Sequence, residues 1–255
     1  MNRAHACLRL LIVVLAMNPA IAQQPILSVR QSVELTSTSD GFAGRLELLE
    51  DARLTDDLDK VLWCSGGPEM ALDEKDPHYR QLTTVPLQNA LLRLKDQHGN
   101  KIQEMELERE QARIRAESLH PGHHTFFVTT DLSSGFGSYS GPLTQLLDVS
   151  HGRLYVVNAR DAKSAALEPI HLASTLKTAW KISSVNGGST EQKDILEIAC
   201  RPNADASVFY VTYTRYHWNG KEWINFTRRT RGFWETDDAF PSPDKFPTGI
   251  ESHVR

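Results

Sequence analysis

The sequence predicts an all-β fold, mainly antiparallel, with hairpins assembled into a sandwich or irregular barrel and at most one or two short helices. Three observations carry that expectation. The run FYVTYTRYHWNGKEWINFTRRT, Phe209–Thr230, is rich in β-branched and aromatic residues on both sides of Asn219-Gly220, a pair that readily supplies the positive φ angles of a tight hairpin turn. From His124 to Val157, Phe126–Thr130 and Leu143–Val149 have the same composition, and Ser150-His151-Gly152 turns the chain into Leu154–Val157. Glycine turns at Gly99, Gly152 and Gly220 each separate two apolar segments, at spacings too unequal for a repeat array.

Taken in order, Met1–Ala22 has the form of a secretory signal. Arg3 and Arg9 precede the apolar Leu10–Ala16, and Ala20-Ile21-Ala22 is an A-x-A cleavage signature. The apolar run stops at Asn18-Pro19, short of the roughly 20 residues a spanning helix needs, so no stable membrane insertion is expected after cleavage. A periplasmic or secreted location follows as the expectation. Removing the signal takes two arginines from 28 basic and 32 acidic residues, giving 28 − 2 − 32 = −6, which argues against nucleic acid as a partner.

The segment 23–238 is expected to be one β-rich domain, and 239–255 a flexible C-terminal tail with three prolines. A weakly alternating strand is expected between Gln23 and Asp40, then a strand and a short helix over 41–62. Ser65–His78, with Gly-Gly-Pro and the acids Asp73, Glu74 and Asp76, reads as a solvated loop lacking the glycine and glutamate offsets of a calcium loop. Ala90–Leu107 reads as a hairpin about His98-Gly99-Asn100. The Glu/Arg spacing across 104–117 would also suit a helix, but alternating Ala112, Ile114 and Ala116 favour a strand. Val185–Ser189 reads as a turn and Ile195–Cys200 as a strand.

Beyond the signal only Cys64 and Cys200 remain, and in an oxidising compartment they are expected to form a disulfide. The competing use, a nucleophilic Cys64 in Trp63-Cys64-Ser65-Gly66-Gly67, needs an activating histidine.

The loop Ser133–Pro142 is the first candidate site. Tyr139, not serine, is central in Gly137–Gly141, so it is no nucleophile elbow, and neither a Lys-Ser/Thr ending nor a following helix makes it a phosphate cradle. It presents Phe136, Ser138 and Tyr139 beside Asp131. In the last hairpin, pairing Trp218 with Lys221 puts Tyr216, Trp218 and Trp223 on one face with Thr214 and Asn225, while Val211, Tyr213, Ile224 and Phe226 occupy the other. The evenly apolar second face is expected to be core and the first a recognition surface, since tyrosine and tryptophan combine broad apolar area with a polar edge.

His120-Pro121-Gly122-His123-His124 is a histidine cluster without the fourth ligand of a closed zinc site or an H-E-x-x-H motif, so a surface turn is expected, with no metal and no cofactor. The reading reached is an exported, non-enzymatic protein that binds a protein or glycan partner through Asp131, Phe136, Ser138, Tyr139, Tyr216, Trp218 and Trp223. The alternative is a secreted hydrolase using Asp131, Ser133 or Ser138 and one of His123, His124 or His151.

Overall fold

The computed structural model describes residues 26–36, 41–120, 123–133, 137–184 and 192–249. The expected signal segment, Phe136 and the turn at 185–189 lie outside them. The first sheet is formed by β1 (Leu27–Leu35), β2 (Gly44–Asp51), β3 (Leu91–Asp96) and β4 (Lys101–Glu106), in sequence order. Between β2 and β3 come three short helices, α1 (Asp56–Leu62), α2 (Pro68–Ala71) and α3 (Tyr79–Thr84); α2 falls inside Ser65–His78, which was expected to be loop throughout, and α3 directly follows it. Next come β5 (Ala112–Glu117), β6 (His124–Thr130), β7 (Leu143–Ser150) and β8 (Arg153–Val156), which build a second sheet. β9 (Asn158–Asp161) and β10 (Leu167–Pro169) start a third sheet, β11 (His171–Ala173) returns to pair with β7, and β12 (Thr178–Ser184), β13 (Lys193–Pro202), β14 (Phe209–Trp218) and β15 (Trp223–Arg231) complete the third. Among the described residues all strand pairings are antiparallel except β15 with β9. The mainly antiparallel all-β class is therefore as the composition indicated.

The second sheet lies between the other two. Phe126, Val128, Leu147 and Val149 share one core with Leu46, Leu48, Leu92 and Leu94 of the first sheet. Phe127 and Leu146, each the chain neighbour of one of these, share another with Ile195, Tyr216 and Trp223 of the third. Successive strand residues point to opposite faces, so a sheet covered on both sides needs apolar residues at both parities. That is why these strands read Phe-Phe-Val and Leu-Leu instead of alternating. Phe126 and Phe127 are both almost fully enclosed, and burying each contributes roughly 2–3 kcal/mol.

β5 is an edge strand whose free amides would invite another chain to pair. Side chains of the first sheet occupy that position: Ala112 N–H donates to Glu50 Oε1 at 2.7 Å and Ile114 N–H to Gln31 Oε1 at 2.8 Å. Burial, the largest influence on Glu50, pushes its carboxyl pKa up against the opposing Ala112 amide.

Three expectations are corrected. In the last hairpin Trp218 pairs with Trp223, not Lys221, and Tyr216 with Asn225. The Asn219 side chain accepts N–H bonds from Lys221 and Glu222, and Asn219 N–H donates to Glu222 O, closing a four-residue loop where a two-residue turn was expected. Second, Cys64 and Cys200 are both free thiols. Cys200 packs with Ile198, Val211 and Trp234 on the outer face of the third sheet, whereas Cys64 follows α1, where its backbone N–H is held by Asp131. Third, residues 239–249 do not hang loose. Phe246 is 1% exposed, edge-on to Tyr213 and stacked with Phe240, and Arg215 donates to Pro243 O at 2.8 Å.

Candidate functional site

The three helices form a small cap. α1 begins at Thr55, whose side chain accepts Leu58 N–H, and its apolar side sets Leu58 and Leu62 against Leu54 and Leu82. Arg53 fixes how the chain returns: it grips both oxygens of fully buried Asp51 at 2.9 and 2.7 Å and donates to Val85 O and Pro86 O at 2.8 Å each. Gln111 ties the cap to the second sheet by donating to Asp59 O and Asp59 Oδ1, and Arg113 binds Asp59 Oδ2 at 2.6 Å while lying over Trp63.

A cleft of about 350 Å3 opens between this cap and the end of β6. Leu62, Met70, Leu82 and Leu87 supply apolar walls, and Arg109, Gln111, Asp131 and Ser133 supply polar ones. Asp131 is a brace rather than an open carboxylate, since Oδ2 accepts Cys64 N–H at 2.7 Å and Oδ1 accepts Ser133 N–H at 2.8 Å. Ser133 Oγ is buried beside the Cys64 thiol without a well-formed hydrogen bond. Burial first, and the Asp131 charge with it, pushes the Cys64 thiol up, the opposite of what a nucleophilic cysteine requires. Cys64 itself takes φ 61°, which lets the chain reverse into Gly66 and Gly67.

Past Ser133, the loop Gly137–Pro142 borders a shallower recess with Cys64, Ser174 and Leu176. Tyr139 is exposed there with Arg201 over its ring at 5.1 Å, and Ser138 is half-buried beside it. Asp131 and Ser133 line the cleft, and Ser133, Gly137 and Ser140 border the recess next to it. The hairpin aromatics do not join them.

Tyr216 and Trp223 are buried and Trp218 half-buried, all packed between the second and third sheets. The expected recognition face is core, and the expected core face is overlain by Trp234, Phe240 and Phe246 from the end of the chain. At the edge of that interlayer core, the β5–β6 connection brings in His120 and His123. His120 is 2% exposed and stacks on Trp218 with ring centroids 4.2 Å apart and planes 3° apart. His123 Nδ1 lies 2.8 Å from Asp148 Oδ2, which also accepts Tyr155 O–H at 3.1 Å, while Asp148 Oδ1 accepts Val149 N–H at 2.7 Å. Burial, outweighing His123, holds the Asp148 carboxyl above its usual range.

The other histidines have separate occupations. His124 Nε2 meets Thr36 O at 2.6 Å and His151 Nδ1 meets Ser150 Oγ at 2.8 Å, so the arrangement proposed for a hydrolase is distributed over different parts of the molecule. Sequence reading missed Asp148 and Tyr155. A carboxylate inside the apolar strand LTQLLDV was the available signal, because an acid there must find a partner.

Comparison of this chain with protein-family models, with curated proteins and with solved structures found no match.

Proposed function

We propose that this is an exported, non-enzymatic binding protein that seats a short segment of a partner protein in the cleft between the helical cap and the end of β6. The carrying observation is the composition of that cleft. It sets aliphatic walls from Leu62, Met70, Leu82 and Leu87 beside Arg109, Gln111 and the hydrogen-bonding capacity of buried Ser133 Oγ. Side-chain-sized apolar space with a few convergent polar groups suits a peptide, and methionine adapts its shape to what it meets. Among the described residues the lining contains no aromatic ring, which favours a peptide over a glycan, since sugars are held by stacking on aromatic faces. Tyr139, exposed on the loop whose Gly137, Ser140 and Gly141 border the neighbouring recess, extends the surface along which such a segment can lie. Export rests on the signal-like Met1–Ala22.

Selection of a displayed random-peptide library on the protein from Gln23 onward tests the reading. Enriched peptides should bind at micromolar affinity or better and lose at least about tenfold with Met70→Arg, an exposed position where the change leaves folding intact. No enrichment, or peptides that bind the variant equally well, would overturn it. An oligosaccharide array run alongside reads out the glycan alternative.

A further inference from the structure

We infer that His120, His123 and Asp148 form a three-ligand site for a borderline divalent transition-metal ion such as Zn2+, independent of the cleft. One ligand atom from each of the three lies within 4.8 Å of the others. Tetrahedral metal–nitrogen and metal–oxygen bonds of 2.0–2.2 Å put ligand atoms roughly 3.4 Å apart, so a modest contraction by His120 and a slight separation of His123 from Asp148 suffice. Two imidazoles and one carboxylate are a donor set that zinc accepts and that calcium or magnesium, which prefer oxygen, does not.

Three features separate this group from a casual surface pairing. His120 and Asp148 are 2% and 4% exposed, so two of the three donors are already withdrawn from water. Two of the three ligands are held from behind: His120 by the flat stack on Trp218, and Asp148 by Tyr155 O–H and Val149 N–H. Such outer partners orient metal ligands and restrict their rotation. Finally, His123 is about a third exposed, so an ion and its water can reach the group from that side. The ligands come from the β5–β6 connection and β7, and Trp218 belongs to the third sheet, so an ion here would pin the second and third sheets at one edge.

The test uses the chain from Gln23 onward, dialysed against a chelator. Calorimetric titration with Zn2+ should show one equivalent bound, and titration with Co2+ should develop the intense visible bands of a four-coordinate ion. His123→Gln, at the most exposed ligand and therefore the variant most certain to fold, should weaken Zn2+ binding by about a hundredfold or more. Asp148→Asn should act likewise. His124→Ala, whose ring bonds Thr36 O, should leave affinity and stoichiometry unchanged. Absence of Zn2+ uptake by the wild type, or equal uptake by wild type and His123→Gln, would overturn the assignment and leave His123–Asp148 as a hydrogen-bonded pair.

Discussion

The ring of His120 lies flat on that of Trp218, 4.2 Å away, and through this contact the connection between β5 and β6 is pressed onto the tip of the last hairpin. Trp218 is thus a joint between two sheets, with Trp223 6.0 Å away and His123 5.7 Å away. Trp218→Ala should lower stability by about 3 kcal/mol in urea unfolding, since removing a packed indole leaves a void its neighbours cannot fill. A platform ring standing free in solvent would lose no more than about 0.5 kcal/mol, and that result would return Trp218 to the surface.

How much of this was legible follows from the same hairpin. Its strands and its division into two faces could be read from alternation, and they survive because the true pairing is displaced by two positions, which preserves parity. Which face meets another sheet could not be read. Both are covered, one by β6 and β7 and the other by Trp234 and Phe246, and the covering residues are distant in sequence. The helical cap was half legible: α1 was expected, but the cleft depends on Arg53 reaching Val85 and Pro86, a long-range grip with no local signature. Asp148 escaped notice because its meaning depends on two histidines brought beside it by β6–β7 pairing.

The thiols give a direct check on the covalent structure. Unfolded without reductant, the chain from Gln23 onward should titrate two thiols with a disulfide-exchange reagent. In the native protein Cys200 should react only on unfolding, because it is wholly buried under Trp234 and its neighbours. Cys64 is partly exposed, but burial and Asp131 raise its thiol pKa, so at pH 7 it should react more slowly than an unhindered cysteine and accelerate as pH rises. A titre of zero in the unfolded chain would show the bridge after all.

Phe246 tests whether the chain's last described segment belongs to the fold. It packs on Tyr213 and Phe240 and is sealed from solvent, while Arg215, itself paired with buried Asp194, reaches the carbonyl of Pro243. Phe246→Ala should cost about 3–5 kcal/mol by denaturant unfolding. Truncation after Gly232 should cost more, since it also removes Trp234 from above Cys200 and Val211. Unchanged stability on either change would mean that the third sheet stands without this cover.

Glu197 should make stability depend on pH, and the sign follows from its surroundings. It is in β13, with Tyr216 O–H 3.4 Å from its carboxyl and the Ala173 amide beside it. Burial is the dominant influence and raises its pKa from 4.5 to about 7, against the opposing pull of Ala173, Tyr216 and Arg201. Between those values the native state keeps a proton that the unfolded chain has lost, so the folded state binds more protons and stability falls as pH rises. The contribution is complete below pH 4.5, declines as pH climbs through about 7, and is absent above, where a charged carboxylate sits half-buried beside Tyr216. The interval corresponds to at most about 3 kcal/mol. Glu197→Gln keeps an acceptor for Tyr216 and Ala173 but cannot ionise, so wild type and variant should be similarly stable at pH 4.5, with the variant ahead by about 1–3 kcal/mol at pH 8. Taking the difference between the two proteins at each pH cancels the contribution of every group they share. A difference that stays constant from pH 4.5 to 8 would place the Glu197 carboxyl in water instead of between the sheets.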